Sequence, residues 1–243
     1  MAGFLLVSTR PEEEALDNEY QAYARATGLA RDELVLAEFD LVGLPPVDLE
    51  QYAGVFVSGS PYGDASKSGV LPQTQQRISD ELRGLFSQII EAGTPVLATG
   101  TAMTVLVDML GGKTTDEFPE LAEVVEVQLT REAMEDPVFG GLPESFLGYA
   151  GHTLSCAELP EGAVRLALSL NCPIEAFRCG EVVYATQFNP ELDAEAIRRH
   201  LEAYADAGYF GVGDPDSLVS TGRHTAGNQA CAAILRNFVA KFR

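Results

Sequence analysis

The chain has 243 residues and is 46% hydrophobic, which is enough to form a sizeable core in one or two domains. Its formal net charge of −20 argues against nucleic acid as a partner, because a phosphate backbone requires a basic face. No apolar run approaches the ~20 residues that span a bilayer, and the N-terminus lacks the basic start of a secretory signal. We therefore expect a cytoplasmic protein with no membrane partner and no cofactor.

Strands and helices are predicted to alternate through the first half of the chain. Apolar runs predict strands at 3–9, 33–41, 53–61 and 95–99. Helical periodicity predicts helices at 11–28, 71–93 and 101–112. In the first helix, Leu16, Tyr20 and Tyr23 have the spacing of one face. This alternation predicts an α/β three-layer sandwich with a mostly parallel central sheet.

The second half of the chain has a different pattern. A run of strands is predicted at 122–130, 162–170, 172–180 and 181–188, with a hairpin turn near Gly180. Two helices follow, at 192–208 and 226–242, and a glycine-rich loop joins them. Since no linker divides the chain, we predict a single domain over residues 1–243.

The stretch PVLATGTAMTVLVDML, residues 95–110, predicts a strand that turns sharply into a helix. Many α/β enzymes mount a nucleophile on such an elbow. Ligands of parallel sheets bind where the strands end, so the loops after Val57 and Thr99 are the ones expected to carry function. The residue at the tip of the elbow is Gly100, which has no side chain that could attack a substrate.

The four cysteines form no C-x-x-C pair, so reduced thiols are expected. A zinc site is conceivable from His152, Cys156, Cys172 and Cys179, but their spacing matches no common zinc module. No metal site is predicted, and a metal-binding protein stays only as a third alternative for the function.

Four stretches in order carry a resemblance to a known family: a strand ending in SGSP, the elbow, GHTLSCAELPEG, and NCPIEAFRCGEVVYATQFNPE. Together they resemble class I glutamine amidotransferases of the GMP synthase type. In that family an elbow cysteine attacks the side-chain amide of glutamine, a histidine accepts its proton, and a glutamate orients the histidine. The resemblance implies the flavodoxin-like fold of the family, glutamine or a related small molecule as ligand, and a separate synthetase chain as partner.

Transferred residue by residue, the family's cysteine falls on Gly100, its histidine on Asn189 and its glutamate on Glu191. The resemblance places the oxyanion hole and pocket at Gly59, Ser60, Thr101, Thr104 and His152. Glycine cannot form a thioester, and an amide cannot take up a proton near neutral pH. The resemblance therefore implies a degenerate amidotransferase, inactive as a glutaminase, that serves as a binding or regulatory protein. The alternative is an active amidotransferase or amidase-like hydrolase whose nucleophile is Thr101 or Cys156.

Each of these residues also has a purely structural interpretation. Glu191 suits a surface or helix-capping acid, and His152 suits a histidine bonded to loop backbone. Thr99 and Thr101 suit elbow packing and helix capping, and Cys156 suits an inert buried thiol.

Overall fold

The computed structural model describes residues 3–10, 12–38, 43–59, 72–203 and 228–243. The strands are β1 Gly3–Ser8, β2 Leu34–Glu38, β3 Tyr52–Val57, β4 Val96–Thr99, β5 Lys113–Thr115, β6 Glu120–Leu129, β7 Ser145–His152, β8 Ser155–Glu158, β9 Ala163–Leu168, β10 Ala176–Cys179 and β11 Val183–Thr186. The helices are α1 Glu13–Thr27, α2 Pro72–Ala92, α3 Thr101–Met109, α4 Arg131–Met134, α5 Ala194–Ala203 and α6 Asn228–Phe242. None of the described helices is both long and apolar enough to cross a membrane.

Nine strands form one sheet in the order β2-β1-β3-β4-β11-β10-β9-β6-β7. The first five of these are parallel, and the remaining four continue the sheet in antiparallel fashion. The predicted α/β sandwich is confirmed: the four strands of the alternating half and β11 form the parallel part, and β10, β9, β6 and β7 form the antiparallel part. The hairpin at Gly180 is also confirmed, with that glycine at φ 60° between β10 and β11.

Helices cover both faces of the sheet, and alternate residues of β1 show this directly. Phe4 and Leu6 pack in the core beneath α1 and α6, whereas Leu5 and Val7 pack in the core beneath α2 and α3. Because successive side chains of a strand point to opposite faces, a strand buried on both faces is apolar at every position. The continuous apolar runs of the sequence are explained by this double burial.

Two features of the fold differ from the sequence prediction. The strands β5, β7 and β8 were not predicted, because β5 and β8 are very short and Gly148 and Gly151 interrupt the apolar pattern of β7. The buried face of α1 is also rotated from the predicted stripe: Leu16 and Tyr20 are partly exposed, and the buried residues include Asn18 and Glu19.

The sheet brings three strand ends together. Val57 of β3 pairs with Ala98 of β4, and Thr99 of β4 pairs with Thr186 of β11. All three strands are parallel, so their carboxyl ends meet at one edge. The segments that follow them carry Gly59, Gly100 and Asn189.

Candidate active site

Gly100 lies at the turn between β4 and α3, as the sequence predicts. Its backbone has φ 55° and ψ −123°, a conformation that residues with a side chain rarely adopt. The Gly100 N–H donates to the carbonyl of Thr186 at 2.9 Å, and its own carbonyl accepts from the N–H of Met103 at 3.0 Å. These bonds fix the elbow against β11 and start the helix. Gly100 is the N-cap residue of α3, so the prediction that Thr99 or Thr101 caps the helix is wrong.

The backbone of Gly100, rather than its surroundings, determines which residue it tolerates. A Cβ built there would meet only the Cα of Gly59, at 3.6 Å, which is ordinary van der Waals contact.

We expect Gly100→Ala to lower the free energy of unfolding by about 1–3 kcal/mol through backbone strain alone. Urea unfolding measures this. Gly84→Ala is the control: Gly84 lies exposed inside α2 with open space around its Cβ, so alanine there should stabilise the protein by about 0.5–1 kcal/mol. A Gly100→Ala variant as stable as the natural chain would contradict the strained elbow.

Gly59 packs directly against the elbow. A Cβ added to it would lie 3.3 Å from the Thr99 carbonyl oxygen and 3.5 Å from the Thr101 nitrogen. The Gly59 N–H donates to the side-chain oxygen of Thr99 at 3.2 Å, and the hydroxyls of Thr99 and Tyr23 lie 3.4 Å apart. In this conformation the Gly59 N–H, which the resemblance assigns to an oxyanion hole, is therefore already hydrogen-bonded to the Thr99 hydroxyl.

The segment after β11 holds Asn189 and Glu191. The Asn189 N–H donates to the carbonyl of Tyr149 in β7 at 2.9 Å, which ties the segment to the far edge of the curved sheet. The Asn189 side chain donates through Nδ2 to Oε1 of Glu191 at 2.8 Å. The two positions that the resemblance assigns to a base and its orienting acid are thus in contact.

Glu191 is buried, with 2% of its surface exposed, so its interpretation as a surface or capping acid is wrong. The acid that caps α5 is Asp193, whose side chain accepts from the N–H groups of Glu195 and Ala196. Burial raises the pKa of Glu191 to about 7, with the charge of Glu19 adding to the shift and the bond from Asn189 opposing it. Among the described residues, Oε2 of Glu191 has no hydrogen-bond partner.

A second buried acid, Glu19 of α1, links the carboxyl ends of β1 and β3. It accepts hydrogen bonds from the hydroxyls of Ser8 and of Ser58, the latter at 2.9 Å, and its other oxygen binds Nε of Arg10 at 2.6 Å. Glu19 was not predicted as a site residue. The available signal was its position four residues from Ala15 and from Tyr23, on a face where a charged residue needs a partner.

The remaining predicted pocket residues are placed as follows. Thr104 is buried, and its hydroxyl donates to the Thr101 carbonyl at 2.8 Å within the same helix. Ser60 lies outside the described residues. Cys156 lies in β8 within the core beneath α2 and α3, where burial and the charge of Asp108 raise its pKa to about 12. The interpretation of Cys156 as a buried thiol is confirmed.

His152 is not bonded to loop backbone, as one interpretation of the sequence proposed. It ends β7 opposite Glu120 of β6, and its Nε2 lies 3.0 Å from Oε2 of that glutamate. Cys172 and Glu175 complete a buried cluster with these two residues, whereas Cys156 and Cys179 of the conceivable zinc set lie outside it. Burial and the charge of Glu120 raise the pKa of Glu175 to about 9. Neither Glu120 nor Glu175 was predicted as a site residue, although a lone acid in the apolar stretch NCPIEAF was a signal for Glu175.

Chemically, the strand ends form a site with an acid and an amide but no nucleophile at the elbow tip. Gly100 offers only hydrogen, Asn189 offers a donor and a carbonyl oxygen, and Glu191 offers a carboxyl group that is protonated and neutral below about pH 7. Such a site is suited to hydrogen bonding with a polar ligand.

Comparison with known proteins adds to this description. Residues 31–203 match the family model for glutamine amidotransferase class-I. The glutamine-hydrolysing GMP synthase of Caldicellulosiruptor saccharolyticus is 37% identical over 107 residues, which are 43% of this chain and 20% of that protein. In Methanopyrus kandleri, the relative is one subunit of a glutamine-hydrolysing GMP synthase. It is 29% identical over 174 residues, which are 65% of this chain and 82% of that polypeptide.

A solved structure of a glutamine amidotransferase from Thermotoga maritima superposes with a TM-score of 0.76. The superposition covers 100% of this chain and 98% of the other, at 18% identity, and so shows a shared fold. The match to the Caldicellulosiruptor GMP synthase covers only about a fifth of that protein's length, whereas the match to the Methanopyrus relative covers most of it.

Proposed function

The chain belongs to the class I glutamine amidotransferase family, with a GMP-synthase-like amidotransferase domain, and we propose that it binds a ligand at the family's site without hydrolysing glutamine. Its role is then that of a binding or regulatory protein. The single observation that carries this proposal is the glycine at the tip of the β4–α3 elbow.

A thioester route needs a thiolate at that tip, and Gly100 supplies none. Asn189 stands in for the base, and its amide is held by Glu191 through a hydrogen bond of 2.8 Å. An amide cannot accept a proton at neutral pH, so a nucleophile placed nearby would not be activated by it. Loss of a nucleophile–base pair leaves a rate on the order of 10⁴-fold or more below that of a complete site.

The supporting parts of the site also argue against turnover. Gly59 remains close against the elbow, but its N–H is engaged by Thr99, and the Thr104 hydroxyl is engaged within its own helix. The alternative nucleophile Cys156 is buried in the core with a pKa near 12, which disfavours the thiolate. Thr101 would need a general base, and Asn189 is not one.

We also propose that residues 1–243 act as one amidotransferase-like domain beside a separate synthetase chain. Support for one domain comes from α6, whose Phe238 packs against Phe4 of β1 and Phe56 of β3. Support for a partner chain comes from the relative in Methanopyrus kandleri, which is named as one subunit of GMP synthase.

The proposed function is tested by measuring ammonia release from glutamine. We expect the natural chain to release no ammonia above the blank, and to bind glutamine or a related amide in calorimetry. The double variant Gly100→Cys/Asn189→His should react covalently, through its introduced thiol, with a glutamine-directed electrophile that leaves the natural chain unlabelled. The reason is that Glu191 is already placed to orient a base at position 189.

The single variant Gly100→Cys is the matched control, since it carries the thiol without the base and should label far more slowly. Ammonia release by the natural chain at a rate comparable to that of a complete GMP synthase would overturn the proposal. Activity that is abolished by thiol alkylation would instead support Cys156 as the alternative nucleophile.

A further inference from the structure

A cluster of four side chains lies apart from the elbow, at the junction of the antiparallel strands. Its members are Glu120 at the start of β6, His152 at the end of β7, Cys172 after β9 and Glu175 before β10. Each residue offers one atom that could bind a metal ion, and these four atoms lie within 4.8 Å of one another. Three of the residues are 0% exposed and His152 is 7% exposed. Distant parts of the chain thus converge on one buried point.

Hydrogen bonds pair only some of the buried polar atoms in this cluster. Glu120 uses both oxygens, one with His152 and one as acceptor from the Ser169 hydroxyl at 2.8 Å. Among the described residues, no group donates a hydrogen bond to either oxygen of Glu175, which can bond to Glu120 only by carrying a proton itself, and Nδ1 of His152 has no partner. Buried polar atoms are normally paired, and an unpaired buried carboxylate is especially costly. Ionising both carboxyl groups would place two like charges side by side, and a cation between them would remove this repulsion as a proton on Glu175 does.

The donor set identifies the kind of cation. One sulfur, one imidazole nitrogen and two carboxylate oxygens suit zinc, whereas magnesium and calcium prefer sites made of oxygen. In a tetrahedral zinc site with bonds of about 2.0–2.3 Å, neighbouring donor atoms stand about 3.3–3.6 Å apart. The His152–Glu120 contact of 3.0 Å is already close to that separation, and the widest pair needs to contract by roughly 1 Å.

We propose that Glu120, His152, Cys172 and Glu175 form a structural zinc site. Four protein ligands complete a tetrahedral shell, and their burial leaves no open position for a substrate. Zinc at this point joins β6 and β7 to the segment between β9 and β10. The Glu175 carbonyl also accepts from the N–H of Gln187 at 2.7 Å, so the site supports the segment that carries Asn189. This proposal is independent of whether the elbow is catalytic.

The test measures metal in the full chain produced with zinc in the growth medium. Elemental analysis should find about one zinc ion per chain that is retained through dialysis against buffer without a chelator. After chelation, added Co²⁺ should give the near-ultraviolet charge-transfer absorption of a thiolate ligand, and added Mg²⁺ should not compete. The zinc-loaded protein should also unfold at a higher temperature than the chelated protein.

Variants then assign the ligands. Cys172→Ser should abolish the charge-transfer absorption, and Glu175→Gln should weaken Co²⁺ binding at least about tenfold. Cys179→Ser is the matched control, because Cys179 is a half-buried cysteine outside the cluster, and it should leave both signals unchanged. If Cys172→Ser fails to fold, the natural chain and Glu175→Gln still decide the question.

Two results would overturn the proposal. One is a natural chain that retains no stoichiometric zinc and gives no thiolate absorption with Co²⁺, which would leave a proton shared between Glu120 and Glu175 as the account of the cluster. The other is unchanged metal binding in Glu175→Gln together with retained absorption in Cys172→Ser.

Discussion

Replacing Glu19 by alanine is expected to lower the free energy of unfolding by about 3–5 kcal/mol. Glu19 is buried, with 3% exposed, and it forms an ion pair with Arg10, whose side chain is 5% exposed. Truncating the acid leaves the Arg10 guanidinium buried without this partner and removes the acceptor for the hydroxyls of Ser8 and Ser58. Chemical denaturation at neutral pH measures the change.

Two variants separate the contributions to this effect. Glu19→Gln keeps the size and one acceptor oxygen but loses the charge, so its cost should be intermediate. Glu14→Ala removes an acid from an exposed position in the first turn of the same helix and should change stability by at most about 0.5 kcal/mol. Equal costs for Glu19→Ala and Glu14→Ala would show that the buried network contributes nothing. Because Ser58 precedes Gly59, the Glu19→Ala variant should also weaken ligand binding at the elbow.

Replacing Glu191 by glutamine is expected to stabilise the protein at pH 8 and to leave its stability nearly unchanged at pH 5. The folded-state pKa of Glu191 is raised from about 4.5 to about 7, so between these values the folded chain holds a proton that the unfolded chain has lost. Stability therefore falls as the pH rises through this window. A shift of this size corresponds to an effect on the order of 3 kcal/mol, which is fully expressed above pH 7.

The measurement is the difference in free energy of unfolding between natural chain and variant at pH 5, 6, 7 and 8. The difference between the two proteins cancels the titration of groups that they share. The charged and titratable groups that face Glu191 are Glu19 and Arg10, and the neighbouring Cys231 and Tyr23 also feel its charge. A difference that does not change with pH would show that Glu191 has an ordinary pKa. In glutamine, the remaining side-chain oxygen can still accept the bond from Asn189.

Much of the site could be read from the sequence because its signals are local. The run at 95–110 contains a strand, a glycine and a helix in direct succession, and the structure places Gly100 at that turn with a positive φ. The motif QFNPE similarly places Asn189 two residues from Glu191, and the structure joins these two side chains by a hydrogen bond. Their assignment to the family's catalytic positions stays a prediction.

The environment of each side chain could not be read in the same way. The sequence allowed Glu191 to be a surface acid, and only the tertiary structure shows it buried, near Tyr23 of α1 and Cys231 of α6. The interpretation of His152 likewise failed because Glu120 lies on the neighbouring strand, 32 residues away in sequence.

The sequence by itself determined the α/β class, most element types and the absence of a thiol at the elbow tip. These follow from patterns within a few residues: apolar runs, helical spacing and the identity of one residue in a turn. Only the tertiary structure decided that β4 lies between β3 and β11, that Glu19 joins two strand ends, and that Glu120, His152, Cys172 and Glu175 meet. Such contacts depend on which distant segments pack together, and the free energy of burying a polar group is set by partners that no local pattern specifies.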